Sequence, residues 1–407
     1  MTYEISPDRQ GVTADTMRIA GRRQGFLLIA MSCLSVLGAV LLAPVQPQML
    51  DAFAGNSSAT WLVPLVVTTP ALMVGLLALG AGRIVDAVGR LRLLKIALVI
   101  YALCGTAPLW LDALSAIVIS RVGVGIAEAA IMTCCTTLIA DYFDGKVRAR
   151  YLGLQVVFSS LSAVLFIGLG GALAVSSWRT PFWLYSVGIL FALLVPIVLW
   201  APARRESNVV VAKLPPVDWA ALAVPLTVTL FGGIVFYVPI VEIPYALADV
   251  GMTGSGAIGL VSALVAIATA VGAISFTRLG AFGPKVLLPS AFAAAGIGIA
   301  IIGLATSPLA VALGGAIASA GCGVLLPTLL TWVLGTLDFG ERGRGTGAWT
   351  ACLFIGQFFS ALIVLGVAAV VGGLSAALLV VGAVTLVVAV AATRLSSVRS
   401  AQPAFES

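Results

Sequence analysis

The sequence predicts an all-α membrane protein of twelve transmembrane helices in two six-helix halves. Three observations predict it: the composition, the length of the apolar runs and the placement of the basic residues. Of the 407 residues, 61% are hydrophobic and 9% are charged. Mean hydropathy is +1.15. Soluble domains carry roughly 25% charged residues, so this chain cannot cover a water-facing surface. The apolar residues come in runs of about twenty, the length that crosses a ~30 Å hydrocarbon core.

The first 23 residues are polar and read as a cytoplasmic tail. The apolar run from Gly25 to about Met49 is too long for a signal-peptide core, and no small-residue cleavage site follows it. It is expected to stay as the first helix. Further spans are expected near 60–82, 93–112, 115–140, 148–175, 181–201, 218–240, 256–278, 286–305, 308–335, 344–369 and 373–394. The longest connection, 202–217, carries Arg204, Arg205, Glu206, Lys213, Pro215 and Pro216. It divides the chain into helical halves at 24–201 and 218–394, with a C-terminal tail at 395–407.

The charge pattern fixes the expected orientation. Of the 22 lysines and arginines, all but Arg121 and Arg179 fall in the two tails or in the even-numbered connections. That is the positive-inside distribution, with both termini cytoplasmic. It accounts for the net charge of +6 through lipid headgroups, without nucleic acid. Cys33, Cys104, Cys134, Cys135, Cys322 and Cys352 lie inside apolar runs and lack metal-ligand spacing, so they read as packing residues. Histidine is absent. Histidine metal sites and proton relays are thereby excluded, and a proton step near neutral pH needs a carboxylate. No nucleophile–base pair, metal cluster or phosphate-binding loop suggests an enzyme, and no cofactor is expected.

The connection between the second and third helices reads Gly82-Arg-Ile-Val-Asp86-Ala-Val-Gly89-Arg90-Leu-Arg92. Its glycines suit a tight hairpin. A carboxylate such as Asp86 can receive the free N–H groups of a neighbouring helix N-terminus. The segment resembles the signature loop of the major facilitator superfamily, Gly-x-x-x-Asp-x-x-Gly-Arg, with Ala87 where a basic residue is usual. The resemblance implies a major facilitator fold of two pseudo-symmetric six-helix bundles. It further implies that this loop meets the start of the eleventh helix, near Arg344. It pairs the basic part of the loop with an acidic residue at the end of the fourth helix, here Arg90 with Asp141, as a cytoplasmic gate.

The fourth helix carries Arg121-Val-Gly123-Val-Gly125-Ile-Ala-Glu128. Positions 121, 125 and 128 share one face. Arg121 and Glu128 lie about 10 Å apart along the axis at 1.5 Å per residue. Ionisable groups at membrane depth cost at least ~2.5 kcal/mol, so they mark function or a fixed partner. The run is similar to a motif of the drug:proton antiporters, with Val124 where Gln is usual. Gly168, Gly170 and Gly171 sit where that branch often has Gly-Pro-x-x-Gly-Gly, but Phe166 and Ile167 replace the Gly-Pro. With Gly125 they read as close-packing positions. Trp178, Arg179, Pro181 and Phe182 resemble the corner before the sixth helix, where an interfacial aromatic is an adequate reading. In the second half, Arg278 to Lys285 stands where a second signature loop is expected, with Gly280 replacing the Asp.

The family geometry lines a central cavity with the first, fourth, seventh and tenth helices. That implies a lining of Gln46, Gln48, Arg121, Glu128, Tyr237, Glu242, Thr328 and Thr331, otherwise apolar. Such a cavity suits an amphipathic or lipophilic solute better than a sugar. The leading expectation is proton-coupled efflux by a monomer, with protons exchanged at Glu128. Uptake of an organic anion bound by Arg121 stays open, as does a non-transporting sensor or scaffold.

Overall fold

The computed structural model describes residues 20–201, 217–338 and 341–394, apart from the Asp86 side chain. Among the described residues, twelve helices are long and apolar enough to cross a membrane. They are α1 (Arg22–Ala52), α2 (Ala59–Ala78), α3 (Arg90–Leu109), α4 (Leu114–Tyr142), α5 (Gly145–Leu173) and α6 (Thr180–Val198). The second six are α7 (Trp219–Asp249), α8 (Ser255–Phe282), α9 (Pro284–Leu304), α10 (Pro308–Gly335), α11 (Arg342–Val371) and α12 (Leu374–Arg394). The fold is therefore the all-helical one that the apolar runs predict. Most of the 202–217 connection, and all of the residues beyond 394, lie outside the described residues.

Local chemistry sets the ends. Asp218 accepts from the backbone N–H groups of Ala220 and Ala221, both at 3.1 Å, and so caps α7. Ser307 does the same for α10 through Ala310. Gly89 and Gly283 turn the chain with positive φ of 88° and 70°, a region L side chains avoid. The hairpin expected between α2 and α3 contains one more short helix, Ala81–Val88.

Prolines shape the long spans. α1 is interrupted at Cys33 and again at a 3-10 turn, Ala43–Val45, that contains Pro44. α7 runs about nine residues past its expected end because Pro239 and Pro244 are accommodated inside it. Membrane helices tolerate such prolines where neighbouring groups re-satisfy the freed carbonyls. Large apolar side chains such as Ile119, Ile197 and Val370 point outward at 70, 77 and 86% exposure. On a soluble protein a surface of this kind would aggregate; here it is the lipid-facing wall.

Two large buried clusters form most of the interior of the described residues. One is built from α1–α6 and receives Tyr237, Val241 and Ala361 from the second six helices. The other is built from α7–α12. Alternating helix directions bring Arg22 and Arg394 to one end, called here the terminal end. The halves meet along a seam near the opposite end. The Tyr237 hydroxyl donates to the Ala39 carbonyl at 2.5 Å, and the Gln46 amide donates to the Val241 carbonyl at 3.2 Å. There Gly171 of α5 lies against Gly259 of α8 with no room for a methyl on either. Toward the terminal end, Gly75 of α2 packs on Ala351 and Ile355 of α11.

Candidate functional site

Arg121 and Glu128 are both buried in the first bundle, at 0 and 2% exposure. They do not form an ion pair. Arg121 turns toward the end of α3, where its Nη2 donates to the carbonyls of Cys104 at 2.7 Å and Gly105 at 3.0 Å. These carbonyls belong to the last turn of the Arg90–Thr106 segment, whose terminal oxygens lack intrahelical donors. A cation is favoured there by the helix dipole. The guanidinium is also flanked by the rings of Phe182 and Tyr185, 5.2 and 5.0 Å from their centroids. Only Nη1 is left without a partner. Arg121 thus joins α4, α3 and α6.

Glu128 faces the other way. Its carboxyl lies against Gly38 of α1, in the volume that a Cβ at that position would take. Its Oε1 is buried and accepts no hydrogen bond. Tyr101, Tyr185 and Tyr237 are near enough to feel its charge. The Tyr101 hydroxyl donates instead to the Leu34 carbonyl at 2.9 Å, and that of Tyr237 to Ala39. The carboxyl therefore sits near two tyrosines, Tyr101 and Tyr237, whose hydroxyls are turned to the backbone of α1.

The other expected lining residues scatter. Gln46 and Tyr237 lie in the α1–α7 seam, fully or almost fully buried. Gln48 is half-buried, with an unpartnered Oε1. Glu242 is 5% exposed and opens into a cleft at the end of the seam, about 7.5 Å along α7 from Tyr237 at 1.5 Å per residue. Thr328 and Thr331 are one buried and one exposed, and both hydroxyls return to their own helix, to Val324 and Pro327.

At the terminal end, Arg90 and Asp141 form an ion pair between α3 and α4. Gly82 lies exposed in the short helix, Gly89 makes the positive-φ turn, and Arg92 is exposed. The Asp86 side chain lies outside what is described. Of the glycines expected at close contacts, Gly125 abuts the Pro70 backbone of α2 and Gly170 the Leu41 carbonyl. Gly168 faces Ala263 at ordinary distance, 3.7 Å between Cβ positions.

Sequence reasoning missed Gly38, Tyr101 and Tyr185, and gave Phe182 only an interfacial role. Gly38 is one of 44 glycines, and no local pattern separates it from the rest. Phe182 and Tyr185 stand one turn apart, which was a readable sign of a shared face. What they cover is set by tertiary packing.

Twelve membrane-crossing helices among the described residues, built around two large buried clusters that meet along a seam, have the architecture of a membrane protein of the facilitator class. The chain belongs to the Major Facilitator Superfamily, whose model matches residues 28–251. It is 28% identical over 175 residues to the multidrug transporter protein MdtP of Bacillus subtilis, covering 42% of this chain and 31% of that one. It is 25% identical over 213 residues to the quinolone resistance protein NorA of Staphylococcus aureus, covering 51% of this chain and 54% of the other. The matches thus span a third to about half of those relatives. Among solved structures, a bacterial homolog of the human lysosomal transporter Spinster, in an inward-facing and unoccupied conformation, superposes with a TM-score of 0.75 at 17% identity. That match covers 92% of this chain and 96% of the other. The nucleoside transporter NupG gives 0.75 at 11% identity, covering 92 and 100%. At these identities the structural likeness establishes the fold alone.

Proposed function

We propose that the protein is a secondary active transporter that exports a small amphipathic or lipophilic solute across the cytoplasmic membrane, coupled to protons at Glu128. The terminal end faces the cytoplasm, because the basic residues of the described connections gather there. The helical halves 24–201 and 218–394 rock about the seam, with 202–217 as the link. The Arg90–Asp141 pair, with the Gly82–Arg92 loop, biases one arrangement as the cytoplasmic gate. The partial matches to a multidrug transporter and a quinolone resistance protein support export of lipophilic solutes.

The observation that carries the reading is Glu128. A carboxylate without hydrogen-bond donors is expensive in a low-dielectric interior. A proton on Glu128 removes that cost while the surrounding helices stay packed. Water reaching Glu128 as the halves rock would restore the charge, so proton loss follows access. Arg121 acts at a distance, through its charge, and does not bond to Glu128.

The anion-uptake alternative is not favoured. It needs Arg121 open to a solute, but its guanidinium is spent on two carbonyls and two rings.

The test is flux in proteoliposomes under an imposed pH gradient, with a panel of lipophilic dyes. Wild-type protein is expected to concentrate dye against its gradient. Glu128→Gln is expected to exchange dye but not accumulate it. Undiminished accumulation by Glu128→Gln would remove Glu128 from the coupling step.

A further inference from the structure

Gln155 of α5 has no part in that mechanism, yet its side chain joins three helices. Its Nε2 donates to Ser32 Oγ of α1 at 2.9 Å and to Thr136 Oγ1 of α4 at 3.1 Å. Each hydroxyl sends its single hydrogen to a backbone carbonyl four residues earlier, Ser32 to Leu28 at 2.8 Å and Thr136 to Met132 at 3.0 Å. Toward the glutamine both can therefore only accept, so the amide nitrogen has to face them. Both amide hydrogens are spent in this way. The Oε1 is turned away from the two hydroxyls and accepts no hydrogen bond among the described residues.

The cluster borders the space between the halves. Gln155 lies about 15 Å from the terminal end of α5 at 1.5 Å per residue, half-buried, beside an exposed Thr136. A polar group at that depth faces a water-filled cavity rather than lipid. The halves part on this side of the seam. Their facing stripes touch at Gly171 and Gly259. Toward the terminal end the same stripes become exposed, at Val157 of α5 (51%) and Ile274 of α8 (69%).

We infer that Gln155 Oε1 is a fixed acceptor that selects lipophilic solutes carrying an N–H or O–H donor. The inference rests on the export reading, because it takes the solute to enter the space between the halves. Water serves Oε1 when that space is empty, so a donor that replaces it gains little affinity. The gain is in discrimination. A solute with only an acceptor at that place displaces the water and returns no hydrogen bond. The amide cannot turn to offer an N–H without breaking its bonds to Ser32 and Thr136. A site built around a hydrogen-bonding group rejects analogues that lack the partner more strongly than apolar walls reject a change of size. Ser32 and Thr136 act as positioning residues, holding the amide in one orientation. The favoured solutes are then amides, phenols and ring N–H compounds, over ethers and esters of the same shape.

The test is equilibrium binding of carbazole and dibenzofuran to the purified full-length protein in lipid nanodiscs, each corrected for empty nanodiscs. The two probes share a shape and differ in an N–H donor against an ether oxygen. Carbazole is expected to bind about tenfold more tightly, near the upper range for one neutral hydrogen bond. Gln155→Met should bring the two affinities together. Ser32→Ala with Thr136→Val should also narrow the ratio, because the freed amide can turn an N–H toward dibenzofuran. A merely structural role for these residues would weaken both probes alike and leave the ratio unchanged, which overturns the inference. Monodisperse elution establishes that the variants are folded. If they misfold, Ser159→Cys, one turn along α5 from Gln155, reads the same contact once the six native cysteines are replaced. Carbazole should slow its labelling by N-ethylmaleimide more than dibenzofuran does, and equal protection overturns the inference. So does equal binding of the two probes by the wild type, a preference that Gln155→Met retains, or no saturable binding of either. No flux is measured, so loss of the donor preference and loss of export are read separately.

Discussion

The Glu128 carboxyl occupies the place where Gly38 lacks a side chain. A polar group at membrane depth is thus held against bare backbone, with its Oε1 accepting no hydrogen bond. Glycine at 38 is a steric requirement of the carboxyl, since its helical backbone asks for no special φ.

Gly38→Ala should therefore act on Glu128 although it changes no charge. The added methyl overlaps the carboxyl, and either α1 or the Glu128 rotamer must move. Overpacking of this kind costs about 1–3 kcal/mol. A lowered unfolding temperature in detergent, with loss of proton-driven dye accumulation, is the expected outcome. Unchanged accumulation would mean that the carboxyl has room to turn aside.

Arg121→Lys should behave as a severe substitution. Lysine keeps the charge but loses the planar fork that reaches Cys104 and Gly105 while lying between Phe182 and Tyr185. Losing charge-assisted hydrogen bonds costs about 1.5–3 kcal/mol, and the stacked rings add to it. Arg121→Met also removes the burden of a buried charge. Thermal unfolding should thus find the methionine variant no less stable than the lysine one.

Gly168 and Ala263 offer a lock across the seam. Their Cβ positions are 3.7 Å apart, close to the ~3.8 Å mean of disulfides. With the six native cysteines replaced, Gly168→Cys with Ala263→Cys should cross-link α5 to α8 under mild oxidation. Flux should stop on oxidation and return with reductant. Full flux in the cross-linked protein would show that α5 and α8 need not part.

The Arg90–Asp141 pair is part-exposed, so its breakage should change populations more than stability. Exposed pairs contribute about 0.2–1 kcal/mol, roughly a fivefold shift in a two-state equilibrium at most. Asp141→Asn should alter the rate of the α5–α8 cross-link by no more than that. The swap of Arg90→Asp with Asp141→Arg should recover part of the change.

The sequence by itself determined the twelve spans, because an apolar run of about twenty residues has one low-cost conformation in lipid. Gly89 was legible as part of a tight turn for a similar local reason, whereas the turn at Gly283 was not read from the sequence. The end of α7 was not, because whether Pro239 and Pro244 stop a helix depends on what their neighbours donate. The candidate site was legible only as residue types at depth. Arg121 and Glu128 were readable as costly charges on one helix, but spacing along α4 could not decide whether they pair. Tertiary structure decided that, sending Arg121 to the carbonyls ending α3 and Glu128 to the bare backbone of Gly38. The pairing and burial of a charge depend on which other helix it meets, and local sequence does not encode that meeting.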